Sequence, residues 1–198
     1  MSEKLRIPLL AIGFLSMAFL NASCVKDIIG GGTSNSDFVK YVIRKGEQSS
    51  SPSTYKVYSN LSEQKFVVRF DTSAIYATAN PVNQGDINKL YGFSDNDKPH
   101  HVNSARIGWR WYNNALELHG YIYNDSVRTS QLITSVALNT DIPCSIKVAA
   151  TSYTFTVNST SIQMPRTAKT AGGSGYRLYP YFGGDEMAPK DITILIKE

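Results

Sequence analysis

Ala105-Arg106-Ile107-Gly108-Trp109-Arg110-Trp111, the pair Asn113-Asn114, and Leu116-Glu117-Leu118-His119-Gly120-Tyr121-Ile122-Tyr123 form the stretch whose alternation decides the fold. Successive side chains of an extended chain point to opposite faces. Ile107, Trp109 and Trp111 therefore share one face, with Arg106 and Arg110 on the other. In the second segment Leu116, Leu118 and Ile122 share a face, opposite Glu117, His119, Tyr121 and Tyr123. The short polar connection between them makes this a β-hairpin with one apolar and one decorated face.

Outward from the hairpin, the same short alternating pattern recurs over 38–43, 55–58, 65–70, 130–138, 145–149, 152–157 and 192–196. The loop 46–53, with Pro52 and its serines, interrupts it, and only 86–90 could form a helical turn. About ten short strands separated by turn signals predict an all-β, two-sheet antiparallel jelly-roll sandwich. The sandwich is expected over 37–198.

The N-terminal segment is of another kind. Lys4 and Arg6 precede an apolar run from Ile7 to Leu20, followed by Asn21-Ala22-Ser23-Cys24. The run is roughly 14 residues, short of the ~20 that a spanning helix needs. Residues 1–24 are read as a lipoprotein signal peptide, cleaved before a lipid-carrying Cys24. The alternative is an ordinary cleaved signal that leaves Cys24 as a free thiol, since Asn21 stands where the motif usually has Leu. Residues 25–36, including Gly30-Gly31-Gly32, form a flexible linker. The expected location is outside the cytoplasm, anchored to the outer membrane or cell surface.

Composition narrows the function classes. Without the leader about 174 of the 198 residues remain, which suits one domain with a substantial core. The chain carries a net charge of +4 without a clustered Lys/Arg stripe, so nucleic acid is not the expected partner. If Cys24 carries lipid, Cys144 has no disulfide partner and reads as a small buried hydrophobe rather than a nucleophile.

A resemblance enters through Gly92-Phe93-Ser94-Asp95, the run His100-His101-Val102-Asn103-Ser104, the hairpin, and Leu178-Tyr179-Pro180-Tyr181-Phe182-Gly183-Gly184-Asp185-Glu186 with Ala188-Pro189-Lys190-Asp191-Ile192. Over roughly residues 90–198 this resembles uncharacterised Bacteroidota-style exported lipoproteins with a concanavalin A-like jelly roll. The resemblance implies two curved sheets, the last strand lying inside one of them, and a carbohydrate-facing surface. Such folds host lectins, hydrolases, lyases and adhesive modules alike.

The decorated face supplies the candidate ligand-binding residues: Arg106, Arg110, Glu117, His119, Tyr121 and Tyr123. Aromatic planes suit pyranose faces, and charged forks suit hydroxyls or carboxylates. The competing reading is a solvated sheet face covered by Arg–Glu cross-strand pairs and Tyr stems. Trp109 and Trp111 form the opposite, core-packing face, or a second platform if exposed. For catalysis the working set would be Glu117, His119, Arg110 and Tyr121. The acidic string Glu-x-Asp-x-x-Glu of laminarinase-like enzymes is absent. Leu116–Asn124 is distantly similar to alginate-lyase strands, with Glu117 where Gln would stand, and an anionic Glu117 there would repel a uronate. No cofactor is expected; Asp95 and Asp97 are weak calcium candidates, and adjacent His100 and His101 would point apart on an extended chain. The favoured expectation is a lipid-anchored, non-catalytic glycan-binding module. The alternatives are a glycan lyase or hydrolase, and an adhesive surface subunit.

Overall fold

The computed structural model describes residues 37–167 and 170–198. The leader, Cys24 and the linker 25–36 lie outside the described residues. Among the described residues thirteen strands form: β1 Val39–Ile43, β2 Ser50–Ser51, β3 Val57–Leu61, β4 Glu63–Phe70, β5 Asn88–Ser94, β6 Ser104–Tyr112, β7 Ala115–Asn124, β8 Val127–Val136, β9 Ile142–Val148, β10 Ser152–Val157, β11 Thr160–Pro165, β12 Gly173–Leu178 and β13 Ile192–Lys197. A seven-stranded sheet runs β11-β10-β9-β4-β13-β1-β2, and a six-stranded sheet runs β3-β12-β5-β6-β7-β8. The strand pairs are antiparallel. This is the two-sheet jelly-roll sandwich that the alternation implied, and β13 lies inside its sheet, between β4 and β1.

The hairpin forms in the expected register, with Arg106 opposite Tyr121, Gly108 opposite His119 and Arg110 opposite Glu117. Asn113 and Asn114 turn the chain with φ of 49° and 60°, a conformation that asparagine tolerates better than most residues. The inward face carries Ile107, Trp109, Leu116, Leu118 and Ile122, all at 1% exposure or less. Trp109 packs against Phe70 and Tyr76 from across the sandwich, with ring centroids at 5.3 and 5.8 Å. Trp111 is only half-buried at the core margin. Cys144 is buried, and burial pushes its thiol pKa well above the ordinary value, which suits a packing residue.

Four strands were not visible as alternation. The expected helical turn at 86–90 is instead the start of β5; the turn lies earlier, at Pro81–Gly85. Asn80 accepts the Val82 N–H there and Pro81 occupies the first position, where a missing N–H costs nothing. β5 escapes the pattern because of a bulge between Lys89 and Tyr91. Leu90 and Tyr91 both enter the core, at 0% and 1% exposure, and the strict period of two is lost. β12 escapes it because Gly173 and Gly175 replace side chains. At Gly175, with φ +154°, a Cβ would lie 2.8 Å from the Ser94 carbonyl carbon. β2 is two residues long, and β11 is mostly polar.

Candidate functional site

The outer face of the six-stranded sheet divides into two halves. In the first, Arg106 from β6 and Tyr121 and Tyr123 from β7 meet Lys89 from β5 in a cleft of about 310 Å³. The loop residues Ser49, Ser50 and Ser53, the turn His100-His101, and Leu178 to Tyr181 complete its walls. None of the residues lining this cleft is a carboxylate. Two glycines make room for it. A Cβ on Gly92 would lie 2.7 Å from Arg106 Cα, and one on Gly108 would lie 2.5 Å from Ile87 Cγ2 and 3.5 Å from Tyr121 Cβ. The bulge in β5 turns Lys89 outward beside them.

Arg106 is the centre of this half. Its residue exposure is 5%, and among the described residues its Nε and Nη2 have no hydrogen-bond partner. Its guanidinium lies 5.1 Å from the Tyr121 ring centroid and 6.0 Å from that of Tyr123. Burial lowers its pKa, opposed by the neighbouring tyrosines. The Lys89 ammonium stands 5.2 Å from the Tyr121 ring and 5.9 Å from the Tyr181 ring. Burial, then Arg106 and Arg128, lower the Lys89 pKa to about 8. Ser50 Oγ is a further buried atom without a protein partner on the cleft wall. Buried polar groups are ordinarily paired, so an arginine with open donors beside no carboxylate has the chemistry to accept an anion.

The second half is self-contained. Arg110 Nε donates to Glu117 Oε2 at 2.7 Å and Arg110 Nη1 to the Gly85 carbonyl at 2.7 Å. His119 Nε2 lies 3.2 Å from the same Glu117 oxygen. Burial lowers the His119 pKa, opposed by its bond to Glu117. Arg110, Glu117 and His119 therefore meet as a cross-strand triad satisfied mainly by itself, and His119 is buried rather than solvated. Tyr121 joins the halves, lining both the Arg106 cleft and a hollow of about 210 Å³ that contains Arg110 and Arg128.

His100 and His101 do not lie on an extended chain. They sit on a turn with ring centroids 4.3 Å apart, and both line the cleft. The Tyr176 hydroxyl accepts the His100 backbone N–H at 3.2 Å and lies 2.9 Å from His100 Nδ1. Burial, with Arg106 and His101, lowers the His100 pKa to about 4, so the ring is neutral at physiological pH.

Asp95 is wholly buried and engaged elsewhere. Its carboxylate accepts from Arg166 Nε at 2.6 Å, from the Tyr153 hydroxyl, and from the N–H groups of Asn96 and Ser174. Burial opposes its ionisation, but these bonds prevail and hold its pKa below the ordinary value. Asp97 is exposed and accepts from Ser174 Oγ at 3.0 Å. Among the described residues no group of three or more His, Cys, Asp or Glu is placed to hold a metal ion.

Of the candidate residues, Arg106, Tyr121 and Tyr123 come together in the cleft and Arg110, Glu117 and His119 beside it, while Lys89, His100 and Ser50, which the alternation did not mark, join the first group. The doubled histidine and the Tyr179-Pro180-Tyr181 run were visible signals; Lys89 was hidden by the bulge.

The strand order defines a concanavalin-like jelly-roll domain, with the cleft on the outer face of its six-stranded sheet. Among solved structures, the chain is similar to alginate lyase AlyC3, with a TM-score of 0.56 and 8% identity over 82% of this chain and 74% of that one. SCLam, a non-specific endo-β-1,3(4)-glucanase of family GH16, gives a TM-score of 0.52 and 9% identity over 80% and 69%. An uncharacterised protein from Mycobacterium paratuberculosis gives 0.51 and 8% over 80% and 78%. At such identities the likeness is one of fold. No protein-family model and no curated protein matches the sequence.

Proposed function

We propose that this chain is an extracytoplasmic glycan-binding module, tethered through Cys24, that recognises an acidic sugar at the Arg106 cleft. The observation that carries the reading is the buried Arg106 guanidinium with two nitrogens unpartnered in a carboxylate-free cleft. A planar carboxylate matches its fork, and Lys89 adds a second positive charge. Tyr121, Tyr123 and Tyr181 supply ring surface for the apolar face of a pyranose. The solved alginate lyase and glucanase of similar fold support a carbohydrate partner by analogy.

The test is calorimetry of the protein with uronate oligosaccharides and with neutral glucan oligosaccharides of equal length. Binding of the acidic set alone, reduced on the order of ten- to a hundredfold by Arg106→Met, is the expected result. Equal binding of both sets would remove Arg106 from the recognition role.

A lyase reading is favoured by one observation. The exposed His101 ring lies 5.3 Å from the Tyr123 ring in the cleft that holds Arg106. Arginine to neutralise a uronate, with an imidazole and a phenol to move protons, is the set that β-elimination requires. Appearance of ultraviolet-absorbing unsaturated product during the titration would make the module an enzyme.

A further inference from the structure

The cleft does not end at His100. Arg106 stands over Tyr123, whose ring lies 5.3 Å from that of His101. His101 is 4.3 Å from His100, and His100 is 6.2 Å from Tyr176. Tyr176 is stacked with Tyr55 at 6.0 Å and an interplanar angle of 30°. An unbroken run of rings therefore leads from the buried arginine to the β3 edge of the sheet. At its far end lies a second hollow, of about 370 Å³, lined by Tyr55, Val57, Asp97, Lys98, Pro99, Gly175 and Tyr176.

This end differs in character from the cleft. Tyr55 is 76% exposed and Val57 61%, so neither is held in place by the core. The floor beside them is bare at Gly175, where the close approach of Ser94 leaves no room for a Cβ. Stacked, open rings beside a flat floor offer a face for a sugar ring, and Asp97 and Lys98 bring one charge of each sign to its rim.

We infer that Tyr55 and Tyr176 form a second sugar subsite, which stacks a further pyranose unit of the same chain whose acidic unit occupies the Arg106 cleft. This rests on the acidic-glycan reading. It adds that the ligand is an oligomer lying across the strands, from β7 over β6 and β5 to β12 and β3, and that affinity grows with chain length. The Tyr176 hydroxyl, bonded to His100, fixes the platform relative to the cleft.

The test is titration of the full chain with a uronate disaccharide and the corresponding hexasaccharide. The parent protein is expected to bind the hexasaccharide more tightly. Tyr55→Ala is expected to lose roughly three- to tenfold on the hexasaccharide and nothing on the disaccharide, and Tyr55→Phe to restore the difference. Tyr55 is too exposed for its removal to unfold the sheet. If Tyr55→Ala keeps the full gain with length while Arg106→Met still abolishes disaccharide binding, the platform is overturned and the acidic-glycan reading stands. If the parent protein binds neither oligomer, both fall together.

Discussion

Arg166 and Arg106 are buried to nearly the same depth, at 3% and 5% exposure, and the protein treats them in opposite ways. Arg166 directs Nε and Nη2 at the two oxygens of Asp95 and its remaining donors at the carbonyls of Ala149, Thr170 and Gly172. Arg106 has tyrosine rings around it and, among the described residues, no hydrogen-bond partner on Nε or Nη2. Arg110 falls between them, half-buried and paired with Glu117. Burial alone therefore does not distinguish an arginine tied into the framework from one with open donors; the state of its donors does.

The largest effect is expected where the donors are satisfied. Asp95→Ala leaves the Arg166 cation buried without its counter-ion and should lower the unfolding free energy by about 3–5 kcal/mol, read by urea denaturation. A loss below about 1 kcal/mol would mean that the network tolerates an unpaired arginine, and the contrast with Arg106 would carry no meaning.

Arg106→Met should behave in reverse. Removing an unpaired buried cation leaves no partner behind, so stability is expected to hold or rise, while affinity for a uronate oligosaccharide falls on the order of ten- to a hundredfold. Destabilisation on the scale of Asp95→Ala would make Arg106 a framework residue and end the comparison.

Glu117→Gln probes the intermediate case. It removes the charge that Arg110 and His119 share, on a partly exposed face, and should cost about 1 kcal/mol of stability. Uronate binding at the Arg106 cleft should be unchanged. A tenfold loss of binding would join the two halves of the face into one site.

How much of this was legible in the sequence follows from the same physics. The hairpin was, because nine consecutive cross-strand pairs obey the period of two with an asparagine turn between them, and that period delivered the sandwich and put Arg106, Tyr121 and Tyr123 on one face. The sequence could not say which of Arg106 and Arg110 would be left open. That depends on Glu117 standing opposite Arg110, where Tyr121 stands opposite Arg106. It also depends on Gly85 offering a carbonyl from a turn far away in the chain. Lys89 and His100 reach the cleft through a bulge and a turn, neither of which leaves a periodic trace. Asp95 illustrates the converse: Asp95-Asn96-Asp97 suggests a cation loop, yet its first carboxylate is taken by Arg166, 71 positions away.

The smallest expected effect is a pH dependence, and it separates the two regions by sign. His100 has its folded pKa lowered from 6.5 to about 4, so between these values the unfolded chain binds more protons. Its contribution to stability is complete above 6.5 and is lost as pH falls toward 4, and His100→Asn should flatten that part of a thermal melting profile. Asp95, with its pKa held below the ordinary carboxylate value, loses its contribution only at still lower pH. Lys89 acts on the alkaline side. Its pKa of about 8 in the empty cleft means that it begins to lose its charge just above neutrality, and an anionic ligand beside it would raise that pKa. Acidic-ligand affinity should thus begin to fall just above neutrality and decline severalfold as pH rises through 8, with proton uptake on binding. Lys89→Arg should abolish the decline while preserving affinity at neutral pH. A decline that survives in Lys89→Arg would assign the titration to another group in the cleft and remove Lys89 from the anion's surroundings.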